Sequence, residues 1–280
     1  MNMRTVLSSG KPRVNMLATV LVFAVVLIFA FPIYWMVCTS FKQPLDILVP
    51  RPKILFPPTL ENYVYLRENS EFGRYLLNSL IVSVSSTALV CVLGFLAAYS
   101  LARYNVGGGQ LAFFILSTRM FPPIAVVIPY FLIFRTLGLI DTRLGLILCY
   151  TMFNLPFAIW LLMGFIKDVP IGLEDAARID GYTPLQVLWK VVIPLVAPGL
   201  AVTAIFCLLF SWNEFLFAFL LTRSVAVTAT VGVAGFWTQR GILWGPMCAA
   251  ATIAVAPMLV FVLFLQRYIV RGLTFGAVKG

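Results

Sequence analysis

A chain of 280 residues that is 61% apolar and only 11% charged cannot clothe a soluble core, because soluble domains average roughly 25% charged residues. That composition excludes a soluble enzyme and a disordered chain together, and makes the bilayer the solvent. The net charge of +10 comes from 20 Lys and Arg against 10 Asp and Glu, scattered at the ends of apolar runs with no basic stripe, which points to anionic headgroups and not to nucleic acid.

A membrane-crossing helix needs ~20 apolar residues to span a ~30 Å hydrocarbon core. Behind a tail at 1–15, the sequence predicts six such runs, at about 16–39, 76–101, 111–134, 144–166, 199–222 and 246–266, with a second tail at 267–280. An even number puts both tails on one side. The first run exceeds a signal-peptide core of ~7 to 15 residues and ends in Val37-Cys38-Thr39, a poor cleavage site, so it reads as a retained helix. The connection at 40–75 carries the turn signal Pro57-Pro58-Thr59 and mixed charge, and reads as a small folded cap.

The third run holds Phe121-Pro122-Pro123 and Pro129, which remove backbone donors and predict a break or kink near mid-membrane. It also holds Arg119, a costly intramembrane charge, as is Glu214 in the fifth run. Counted by residue the two differ in depth by about 8 Å, so direct pairing would need long side chains or a water. With the N-terminus placed in the cytoplasm, ten Lys and Arg fall inside and nine outside, with Arg119 within a span; the positive-inside rule therefore leaves orientation open.

Enzymatic chemistry finds little to use. Histidine is absent, which removes the Ser-His-Asp triad and the H-E-x-x-H zinc helix. The five cysteines (Cys38, Cys91, Cys149, Cys207, Cys248) are far apart in apolar runs and read as small core residues. No G-x-x-x-x-G-K-[ST] phosphate loop occurs.

The connection at 167–198 carries the strongest pattern in the chain. A first helix is predicted from about Gly172 to Asp180, with Glu174 and Asp175 near its positive end and Gly181 suited to a left-handed C-terminal cap. A second starts at once, with Thr183 as cap, Pro184 in the first helical position and Gln186 as the return partner of a capping box. Leu173, Ala176 and Ala177 are expected on one face, with Glu174, Asp175 and Arg178 pointing elsewhere. Small residues there allow close approach to another surface; a helix lying on headgroups would carry larger apolar residues and more Lys or Arg.

Asp175-Ala176-Ala177, three residues, Gly181, nine residues and Val191-Val192-Ile193-Pro194 together resemble the EAA loop of bacterial ABC importer permeases. Asp175, Val191 and Ile193 stand where the pattern usually has glutamate, isoleucine and leucine. Pro58-Thr59-Leu60-Glu61-Asn62-Tyr63, Asn78-Ser79, Ala97-Ala98-Tyr99-Ser100-Leu101-Ala102-Arg103, Trp212-Asn213-Glu214 and the terminal Gly276-Ala277-Val278-Lys279-Gly280 resemble the carbohydrate-uptake branch, and within it the shorter of the two permeases.

The resemblance implies an all-α integral membrane protein of the type I importer fold, with six spans and both termini in the cytoplasm of a bacterium, in the inner membrane. It implies a coupling helix seated in a cleft of a cytoplasmic ATPase dimer, carried here by Glu174, Asp175, Ala176, Ala177 and Gly181, with the acids meeting basic or amide groups of that partner. ATP and Mg would be bound by the ATPase, and the chain itself would hold no cofactor and catalyse nothing. A second permease subunit, usually a different chain, and a periplasmic or lipid-anchored solute-binding protein complete the implied assembly. For a sugar-like solute, Arg119, Asn154, Trp160, Trp212, Asn213 and Glu214 are the candidate pathway residues, since aromatic faces suit C–H surfaces and amides or carboxylates suit hydroxyls. Trp also gathers at membrane interfaces for unrelated reasons. The rival readings are an ABC permease for another solute, a secondary transporter, for which no inverted repeat is evident, and an intramembrane enzyme, for which no active site is evident.

Overall fold

The computed structural model describes residues 16–239 and 241–275, so the tail at 1–15, Arg240 and the terminal 276–280 motif lie outside the described residues. Five helices are long and apolar enough to cross a membrane: α1 (Met16–Ser40), α4 (Phe72–Tyr104), α7 (Arg143–Asp168), the continuous stretch Pro184–Trp212, and α13 (Trp244–Phe275). A pair, α5 (Gly108–Ser117) with its 3-10 extension to Met120 and α6 (Pro123–Thr136), is together long and apolar enough for a sixth crossing, and is bent by 93° between its halves. The bend falls at Phe121-Pro122, where two consecutive prolines withhold backbone donors, as their position in the sequence predicts.

Three helices make the centre of the bundle. The start of α4 meets the start of α7 through Asn78 and Arg143, and their ends meet through Arg103 and Val169, so the two run parallel. They cross closely at Gly94, where a Cβ would come within 3.2 Å of the Ala158 methyl. α10 (Ile193–Trp212) runs the other way, with Gly199 pressed on the Phe165 ring near one end and Ser211 bonded to Ser86 nearer the other. Val90, Ala158 and Cys207 fill the space between the three.

One apolar cluster packs the end of the bundle that carries α8 (Ile171–Ile179), and a second joins α4, α6, α7 and α11 (Leu216–Leu221) toward the opposite end. At that opposite end α2 (Pro44–Ile47) and α3 (Glu61–Asn69) form a cap over residues 44–69, while α12 (Ala229–Ala234) and a two-stranded hairpin, β1 (Trp237–Thr238) with β2 (Gly241–Ile242), lead into α13. α1 stands apart along the side of α13, with only Thr39 and Ser40 buried.

The fifth span differs from its sequence boundaries at both ends. It begins at Pro184, because α9 (Pro184–Val187) runs through a π turn at Leu188–Val192 straight into α10. In the over-wide turn the Ile193 N–H reaches the Leu188 carbonyl, and the helix continues past Pro194, which stands in the first turn of α10. It stops at Trp212 and not at 222, because Glu214 accepts the backbone N–H of Phe217 at 3.0 Å and of Ala218 at 3.1 Å and so starts α11 as a new helix.

Candidate functional site

Local sequence chemistry positions α8. Gly181 follows it with φ +87°, the left-handed conformation that glycine adopts without strain. Thr183 Oγ1 then accepts the Gln186 N–H at 3.4 Å while Gln186 Oε1 accepts the Thr183 N–H at 2.9 Å, closing the capping box that opens α9.

The faces of α8 are not those expected. Glu174, with no exposed surface, and Ala177, 7% exposed, point into the protein, while Leu173, Asp175, Ala176 and Ile179 point out. The cause is a charge partner distant in sequence. Glu174 Oε1 accepts from Arg103 Nε at 2.6 Å, and its Oε2 accepts from the Tyr99 hydroxyl at 2.8 Å. Arg103 Nη2 also donates to the Val169 carbonyl at 2.8 Å, just beyond the end of α7. Glu174 is thus bonded at both oxygens within the chain and has no exposed surface. Asp175, exposed and 3.2 Å from Arg178 Nη1, is the acid left on the outer face. That face is apolar and bare: Ile179 is 87% exposed, and Leu185 and Trp189 beyond the turn are also exposed.

The pathway candidates do not form one site. Arg119, in the 3-10 turn before the bend, donates to the Phe153 carbonyl at 2.5 Å and stacks with its guanidinium 3.8 Å from the Phe153 ring centre. Glu214 caps α11, so the two charges have separate partners and form no ion pair among the described residues. Asn154 is buried in the bundle and donates to Ser211 Oγ at 3.0 Å, beside Ser86. Its Oδ1 has no hydrogen-bond partner among the described residues. Trp212 is buried against α13, bonded to the Ala254 carbonyl at 3.2 Å, while Asn213 is exposed and turns back to Leu209. Trp160 is exposed on the flank of α7, where it lines a groove of about 390 Å³ with Phe113, Met163 and Lys167.

Residues 90–275 match the family described as the binding-protein-dependent transport system inner membrane component. The chain belongs to that family. This permease is 41% identical over 253 residues to the trehalose transport system permease protein SugB of Mycobacterium tuberculosis, covering 89% of this chain and 92% of that one. It is 40% identical over 252 residues to the probable ABC transporter permease protein y4oR of Sinorhizobium fredii, covering 90% and 91%. Among solved structures, a chain of the bacterial ABC transporter involved in import of the acidic polysaccharide alginate has the same fold, with a TM-score of 0.75 at 24% identity over 90% of this chain and 95% of that one.

At the far end of the permease lies a cluster of which the sequence singled out only Asn78 and Ser79. Asp141, at φ +56°, directs its carboxylate into the backbone N–H groups of Arg223, Ser224, Val225 and Ala226, at 3.0 to 3.2 Å. Partial burial pushes its pKa up, but the four N–H donors outweigh that and hold the carboxyl well below the usual carboxylate range. Asn78, fully buried, donates to the Val225 and Val227 carbonyls at 2.9 Å each and accepts from Arg143 at 2.7 Å. Ser79 accepts the Ala229 N–H at 2.8 Å. The pair Asn78-Ser79 is visible in the sequence as part of the resemblance; nothing local says what it holds.

Proposed function

We propose that this permease works in an importer driven by ATP hydrolysis on a separate ATPase dimer, which binds ATP and Mg, and that α8 is the helix docked in that ATPase. The observation that carries the reading is the geometry of α8: a nine-residue helix fastened inward by Glu174 while it presents Leu173, Asp175, Ala176 and Ile179 outward. An exposed apolar ridge with Asp175 and Asp180 beside it, at the end of an otherwise lipid-embedded bundle, suits a protein groove with a basic or amide rim. Ala176 permits close approach on that face, and Gly181 fixes the bend behind it.

The solute is a sugar or related polyhydroxylated compound, a reading supported by the relative named for trehalose transport and the fold neighbour named for alginate import. A solute-binding protein delivers it, in keeping with the family's description as binding-protein-dependent, and a second permease subunit, a different chain, completes the pathway in the bacterial inner membrane. Both termini and α8 face the cytoplasm, and the cap, Asp141 and the hairpin face outward. Asn154 is the pathway candidate placed to meet solute hydroxyls, because its carbonyl oxygen lacks a partner within the chain.

Extraction in mild detergent is expected to recover an ATPase chain in stoichiometric amount, and Ile179→Arg is expected to lose it. Uphill solute uptake by the purified permease alone, on an ion gradient in vesicles, overturns the reading. Ligand screening of the cognate binding protein tests the sugar assignment separately.

A further inference from the structure

A docked helix moves solute only if its displacement reaches the bundle, and the covalent links on either side of α8 are poor levers. Before it lies the extended Val169-Pro170, and after it the left-handed Gly181, so both joints are single-chain turns. The side-chain links are of another kind. Arg103 sits on the last turn of α4 and reaches two other elements at once, Glu174 of α8 through Nε and the Val169 carbonyl beyond α7 through Nη2. Tyr99, one turn earlier on α4, takes the second oxygen of the same carboxylate. The Arg103 and Glu174 side chains are 8% and 0% exposed, so the pair is shielded from water and parting it costs more than parting a surface pair. Arg178 comes no nearer to Glu174 than 3.9 Å and is itself largely exposed, which makes it a poor replacement.

We infer that Arg103, Glu174 and Tyr99 form a strut that makes α8 a rigid extension of α4, so that force applied to the docking face travels along α4 and not through the loops. The inference rests on the docking role of α8. α4 has the length to carry such a force, since its 33 residues make a rod of about 50 Å at 1.5 Å per residue. Its far end holds the 225–229 segment through Asn78 and Ser79. One helix therefore connects the docking surface to the segment at the opposite mouth. Arg103, Glu174 and Tyr99 are positioning residues; none of them is placed to touch solute or nucleotide.

The test uses the whole complex, with its ATPase and second permease, in nanodiscs and with the five native cysteines replaced. Spin labels are placed at Tyr104→Cys on the exposed end of α4 and at Gly172→Cys on α8, where added atoms meet open space. In the parent protein the distance between labels is expected to stay the same and narrow in the nucleotide-free and ATP–vanadate states. In Glu174→Gln the complex is expected to stay assembled and hydrolyse ATP, while the distance shifts or broadens on trapping. An unchanged, narrow distance in Glu174→Gln overturns the strut. Should Glu174→Gln fail to accumulate, Tyr99→Phe, which removes one hydroxyl, is expected to broaden the trapped distance to a lesser degree, and no broadening there overturns it equally. Retention of the ATPase by Ile179→Arg removes the docking role itself, an outcome distinct from failure of the strut.

Discussion

Two acids hold the two ends of this permease, by opposite means. Glu174 is buried and held by a cation and a phenol from another helix, whereas Asp141 is held by four backbone N–H groups of one loop. A side-chain pair concentrates its strength in a single partner, so removing that partner strands a charge. A backbone nest spreads its strength over donors that no substitution except proline deletes, and it persists as long as the loop keeps its shape. The end proposed to take force from an ATPase thus depends on two side chains of α4, Arg103 and Tyr99, and the far end on a conformation.

The contrast orders what substitutions should do. Arg103→Met leaves Glu174 unpaired away from water, and removal of one member of a buried pair costs about 3–5 kcal/mol. The expected result is loss of folded protein or a marked drop in thermal midpoint in detergent, with Arg103→Lys much milder. Equal midpoints for Met and Lys would place little weight on the charge. Gly181→Val forces a β-branched residue to φ +87°, a strain of about 1–3 kcal/mol. Open space surrounds that position, so the damage is confined to the bend: membrane insertion persists, ATPase co-purification and transport fall, and Gly181→Asn is tolerated.

At the far end the sign of the pH effect follows from the depressed pKa of Asp141. The stability contributed by its charge is fully present above the unfolded carboxylate value, about 3.9, and is lost only as pH falls through the lower folded value. Protease nicking within 222–228 is therefore expected to be flat from neutral pH to about pH 5, and Asp141→Asn, which weakens charge-assisted bonds, should raise it by an amount equivalent to about 1–3 kcal/mol. Nicking that climbs steeply across that range in the unsubstituted protein contradicts the nest as described. The smallest effect on stability belongs to Asn154→Leu, which exchanges an under-bonded amide for an apolar side chain of similar size and should alter the thermal midpoint by the equivalent of less than about 1.5 kcal/mol. A fall in transport without a fall in midpoint would assign Asn154 to the pathway.

What could be seen in the sequence was local. The proline pair at 122–123, Gly181 and the Thr183–Gln186 capping box act over a few residues and are fixed by backbone chemistry, and the structure has the bend, the left-handed turn and the box where the sequence puts them. The outer and inner faces of α8 were not legible, because apolar periodicity treats an acid as surface unless its cation is known, and Arg103 is remote in the chain. For the same reason the end of the fifth span was misplaced: Glu214 reads as a charge within an apolar run, whereas in space it is the cap of a separate helix. Asp141 gave no signal at all, since all its partners but the Ser224 hydroxyl are main-chain atoms, which every residue except proline possesses.

The bareness of α1 bears on how the molecule is made. Of its 25 residues only Thr39 and Ser40 are buried, with residues 35–38 partly covered, and its backbone is satisfied within its own turns. A helix of that kind is suited to lipid by its own side chains and turns, with little called for from the rest of the chain. The bent pair is the opposite case, because Arg119 lodges on Phe153 of α7, so its charge finds its partner only once a later span lies beside it.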